Sequence, residues 1–135
     1  MTIMNQENTA IHWKKVIEYA QTGIKSKILL EDGNCRYTLM SLSLGKAIAE
    51  HTNPRNATVN VIEGQGILTL SDKEISLEVG VFIFIPANAP HAIQSSTELA
   101  FLLTLSEQLA PATLHFPENQ EQEIAPFMTN NQLNF

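Results

Sequence analysis

At 135 residues, with 44% in the hydrophobic set and 16% charged, the chain fits one domain with a real core, and none of its apolar runs approaches the roughly 20 residues of a membrane-spanning helix. Its 8 Lys and Arg against 14 Asp and Glu leave a net charge of −6, and no positive residues cluster beyond Lys14–Lys15, so the basic footprint that nucleic acid demands is missing. A single cysteine, Cys35, excludes an internal disulfide, and the opening MTIMNQENTAIHWKK lacks the charged-then-apolar order of a secretory leader, so a cytoplasmic protein bound to neither membrane nor nucleic acid is expected.

From Thr9 to about Thr22, Trp13, Val16, Ile17 and Ala20 recur at helical spacing behind a possible Thr9 cap, which predicts one short amphipathic helix within an N-terminal segment, residues 1–23. From Ile24 the period changes. Nine short β-rich runs follow, KSKILLE, CRYTLMSLSL, KAIAEH, ATVNVIE, GILTLS, KEISLEV, VFIFIP, HAIQSS and ELAFLLTLS, separated by Gly, Asn, Asp and Pro. Runs of this length without intervening helices predict an all-β sandwich or barrel over residues 24–106 and disfavour a parallel α/β sheet. After Ser106 the composition turns to Gln, Asn, Glu and Pro with scattered apolar residues, among them Leu114, Phe116, Phe127 and Phe135; residues 107–135 are expected to form an extended tail lying on the barrel or on a partner.

Two segments carry the candidate chemistry. The first runs from Gly45 through five residues to His51-Thr52-Asn53-Pro54 and closes at Gly64; the second runs from Gly80 through five residues to Pro86 and then to His91. Their order and spacing resemble the paired motifs of the cupin superfamily, and the resemblance spans about Gly23 to Ser106. It implies a cupin-type small β-barrel, a jelly-roll-like double-stranded β-helix with a short N-terminal helix. It also implies a homodimer and a metal clamp of imidazoles and a carboxylate inside the barrel. Such a clamp would hold Fe, Mn, Ni, Zn or Cu with positions left open for substrate.

The departures from the pattern fall on the ligands. His51 and His91 match the family's first and last histidines, but Asn53 stands at the second histidine and Ala57 at the glutamate. The stretch HTNPRNATVNVIEG is similar to that of short single-domain cupins that also carry His-Thr-x-Pro and lack the glutamate. The expected cofactor is therefore none, or a weakly held divalent metal on His51 and His91. Arg55 would oppose a cation if it pointed inward and is read as an exposed loop side chain.

Alternation along strands predicts that Ala47 and Ala49 share the face of His51 and that Ala57, Val59 and Val61 face inward together. The resulting pocket is apolar near the histidines, with His51, Asn53, His91 and Gln94 as polar anchors for a small-molecule ligand. Tyr37 and Met40 are expected to pack in the core, Pro86 and Pro90 to hold the turn before His91, and His12 and His115 to carry no chemistry. Two functions fit these residues: a small-molecule binding protein in a sensor or accessory role, or a metal-dependent oxygenase, isomerase or decarboxylase built on His51 and His91. A third, metal-free general-base catalysis by one imidazole, lacks a carboxylate to orient the ring.

Overall fold

The computed structural model describes residues 9–108 and 111–115. Among the described residues, nine strands follow one four-residue helix: α1 (Trp13–Val16), β1 (Ile24–Glu31), β2 (Cys35–Leu42), β3 (Ala47–His51), β4 (Asn56–Glu63), β5 (Gly66–Leu70), β6 (Lys73–Leu77), β7 (Phe82–Ile85), β8 (His91–Ser95) and β9 (Leu99–Ser106). Each of the nine runs read from the sequence is one strand. All pairings are antiparallel, in a five-stranded sheet of order β1-β2-β9-β4-β7 and a four-stranded sheet of order β3-β8-β5-β6. The molecule is an all-β barrel of jelly-roll type.

The inward faces meet in one core. Leu42, Val59, Leu68, Leu77, Leu99 and Phe101 are almost wholly buried there, and Ala57, Val59 and Val61 face inward as alternation along β4 predicts. Each large side chain so buried contributes about 1.5–3 kcal/mol relative to exposure. Among the described residues no buried side-chain polar atom lacks a partner. Ser95, at the end of β8, shows how: its hydroxyl donates to the carbonyls of Ser43 at 2.9 Å and Lys46 at 3.0 Å, closing the four-stranded sheet over the β2–β3 loop.

The helix is shorter than its apolar spacing predicts. His12, not Thr9, caps it, its Nδ1 accepting the Lys14 N–H, and Ile17 is already extended with ψ 125°. No residue of α1 is buried, so no tertiary packing sustains further turns. Residues beyond it are instead tied to the sheet as an extended strap: the Lys27 ammonium donates to the Val16 carbonyl and to Glu18, and the Tyr19 hydroxyl donates to Glu63 at 2.9 Å. Burial, and then the Glu63 carboxylate beside it, holds the Tyr19 phenol protonated well above its ordinary range. The strap lies on the outer side of the five-stranded sheet, where Leu39, Ser41 and Ala100 are buried although they face away from the core. The tail expected after Ser106 falls mostly outside the described residues; Leu114, which is described, is exposed.

Candidate functional site

His51 ends β3 and His91 begins β8, and the two are direct cross-strand partners. Their rings lie 4.2 Å apart between centroids, tilted by 58°. His91 is buried at 7% exposure, and His51 is exposed, so the pair runs from the interior to the surface.

Both rings are held in the same way. His51 Nδ1 lies 2.9 Å from the Ala49 carbonyl and His91 Nδ1 lies 2.9 Å from the Ala89 carbonyl. A carbonyl can only accept, so each Nδ1 carries the proton, and in the neutral rings each Nε2 is left with a free lone pair. The backbone thus fixes the tautomer, the task that outer-shell acceptors perform for metal-binding histidines. Around His91 the turn is set by the Ala89 N–H to the Pro86 carbonyl, 3.1 Å, and the Ser71 N–H to the Pro90 carbonyl, 2.8 Å. The loops that flank the site are also joined: the Asn88 N–H donates to the Asn53 carbonyl at 2.7 Å and the Ala87 N–H to Asn56 Oδ1 at 3.0 Å.

Behind the histidines lies a cavity of about 140 Å³. The five-stranded sheet lines it with Met40, Val59, Ile85, Phe101 and Leu103, and the four-stranded sheet with Ile48, His51, His91 and Ile93. Its polar functionality comes from the two imidazoles alone. Met40 packs against the core as expected and also borders this space. Ile48, Ile85, Ile93 and Phe101 were not singled out in the sequence, and no signal short of the strand register identifies them.

Three expectations are corrected. Gln94 does not anchor the cavity: it is exposed on the other face of β8 from His91 and Ile93, and its amide donates to the Gly45 carbonyl at 3.1 Å. Asn53 does not line the cavity either, because its Oδ1 turns back to accept the Arg55 N–H at 2.9 Å in a local turn. Ala47 and Ala49 are exposed, and Ile48 shares the inner side with His51. The cause is a β-bulge: the ladder runs Ile48 to Ile93 and then His51 to His91, so two residues of β3 oppose one of β8 and the alternation slips by one. Arg55 pairs with Glu107 at 3.3 Å, consistent with a surface loop.

The donor set does not match a self-sufficient transition-metal site. Among the described residues no three of His, Cys, Asp and Glu converge. Ala57 offers a methyl group and the Asn53 oxygen is engaged elsewhere, which leaves two imidazoles.

The family model described as a cupin domain matches residues 38–105, half of the chain. Among curated proteins none matches. Solved structures are similar. A conserved protein of unknown function from Streptococcus pyogenes superposes with a TM-score of 0.71 at 23% identity, over 82% of this chain and 95% of that one. A cupin superfamily protein from Desulfitobacterium hafniense gives 0.66 at 20% identity, over 70% and 86%. A cupin 2 conserved barrel domain protein from Leptotrichia buccalis gives 0.65 at 32% identity, over 70% of this chain and 46% of that longer one.

Proposed function

The chain belongs to the cupin family, and from that premise we propose that it binds a compact, largely apolar organic molecule in the barrel cavity, in a sensing or accessory role. The observation that carries this reading is the lining: seven apolar side chains around about 140 Å³, with a pair of imidazoles at one end as the polar anchor. Apolar walls with few convergent polar groups are the usual composition of small-molecule sites, and this cavity is smaller than the roughly 300–1,000 Å³ that drug-sized ligands fill. Each neutral imidazole presents an Nε2 acceptor, so the ligand's polar end carries a hydroxyl or another donor.

Thermal-shift screening of the full chain with hydroxylated molecules of about ten heavy atoms or fewer tests this. A hit is expected to raise the melting temperature of the parent protein and of Gln94→Ala alike. It is expected to lose at least tenfold in affinity in His91→Asn. Equal affinity in the parent and His91→Asn, or the absence of any hit on folded protein, would remove the proposal.

A further inference from the structure

We infer that the N-terminal strap, residues 17–23, is a latch that swings open on Gly23 as one unit while the barrel beneath it stays folded, uncovering the buried strip of Leu39, Ser41 and Ala100 on the outer face of the five-stranded sheet. The latch is independent of the cavity and of what binds there.

The ladder under the strap is complete without it. β1 pairs with β2 from Ile24 to Glu31, and β2 with β9 from Cys35 to Leu42, whereas among the described residues no backbone hydrogen bond joins residues 18–22 to any strand. Opening therefore breaks no sheet bond. At the far end, α1 buries nothing that would hold the chain down. A segment joined to the rest by few contacts opens at a free energy well below that of global unfolding.

What holds the strap is two polar catches near the surface. On β1, Lys27 donates to the Val16 carbonyl at 2.9 Å and pairs with Glu18, which Lys25 also approaches at 3.4 Å. On β4, Glu63 accepts from the Tyr19 hydroxyl at 2.9 Å. β2 and β9 lie between these two strands, and they carry the covered residues. Glu18 is 57% exposed, so its ion pairs weaken as salt rises. The Tyr19 phenol, held protonated well above its ordinary range, keeps its hydrogen bond through the neutral region. Near neutral pH, ionic strength is thus the variable that loosens the latch.

The pivot is Gly23. Its φ is +131°, a conformation that residues with side chains rarely adopt, and the space around it is open, with nothing within 4 Å of where a Cβ would stand. Its carbonyl accepts from the Ser43 N–H at 3.0 Å and from the Ser43 hydroxyl at 3.1 Å, which fixes the β1 side of the residue to the barrel. Its own N–H donates to the same hydroxyl at 2.8 Å. Rotation about the N–Cα bond swings the strap outward and, at the pivot, releases only that last bond.

Thiol trapping in the full chain tests this. In a Cys35→Ser background a single cysteine is placed beneath the strap as Ser41→Cys or, as a second reporter, Leu39→Cys, and its reaction with uncharged N-ethylmaleimide is timed. Asn60→Cys, on the exposed outer side of β4, gives the open limit, and Val61→Cys, 3% exposed in the core, gives the rate set by global unfolding. The covered thiols are expected to react about tenfold or more slower than Asn60→Cys and about tenfold or more faster than Val61→Cys. Relative to Asn60→Cys, their rates should rise about threefold between about 20 mM and about 0.5 M salt. They should rise about threefold or more in Tyr19→Phe, which removes one catch and keeps the ring. Gly23→Ala should also speed them, because alanine disfavours the φ that the closed strap requires. Covered thiols no faster than Val61→Cys would mean that the strap leaves only with the whole fold, and rates indifferent to both salt and Tyr19→Phe would mean that the catches hold nothing. Either result overturns the inference, as does labelling as fast as Asn60→Cys in every condition.

Discussion

Gly64 joins β4 to β5 with φ +87°, and a Cβ placed on it would sit 1.8 Å from the Glu98 carbonyl oxygen. Two constraints therefore coincide at one position, a left-handed backbone and a backbone atom where a side chain would begin. Gly64→Ala is expected to destabilise the protein by about 3 kcal/mol or more, because the obstruction is main chain and cannot swing away. Urea unfolding of the two proteins measures it, and a difference within about 0.5 kcal/mol would contradict the geometry. The histidines were legible at this scale because motif spacing marks them. Gln94 was misread although the needed signal was present: it lies three positions after His91, and alternation along β8 puts odd separations on opposite faces. The turn that diverts the Asn53 side chain was also visible in outline, since Asn before Pro54 and Arg55 favours an oxygen-to-backbone bond.

Strand punctuation made the nine elements readable, and the limits of that reading fall where local period stops governing. In β3 the bulge between Ile48 and His51 is a property of the pairing with β8, which one strand's sequence does not encode. It yields a test at the level of the element. Ile48→Ala is expected to cost about 1–3 kcal/mol and to enlarge the cavity, whereas Ala49→Ser should stay within about 0.5 kcal/mol, the reverse of what simple alternation from His51 implies. Denaturant midpoints of both variants decide between the two registers, and a larger loss for Ala49→Ser than for Ile48→Ala would mean that β3 pairs without the bulge. The N-terminal segment erred in another way. A stripe of Trp13, Val16, Ile17 and Ala20 satisfies a helix, but the same residues also suit an extended strap held to the outer face of the sheet by the Lys27 and Tyr19 hydrogen bonds. Tertiary anchoring won because four residues of helix with nothing buried cannot repay nucleation.

At the scale of the molecule, the strap covers only part of the outer face of the five-stranded sheet. Phe82 is 52% exposed there, and Phe84 on the same edge strand is partly so. The sequence resemblance implies a homodimer, and we propose that a second copy would pack on this uncovered side, which would also shield the β7 edge. Light scattering at micromolar concentration should give twice the mass of one chain, and Phe82→Glu should shift it toward a single chain. A parent protein already at single-chain mass would end that proposal. Ala57 carries a different kind of consequence. It is 2% exposed and paired across the ladder with Ile85, so the space beside it is already committed to packing. A lone Ala57→Glu change would bury an unpartnered carboxylate, and a lone Asn53→His change would strip the loop of the oxygen that holds Arg55 N–H. Each of the two changes would therefore cost stability on its own, the first through a buried charge and the second through a freed loop N–H, so a four-donor clamp is separated from this sequence by repacking as well as by ligand choice.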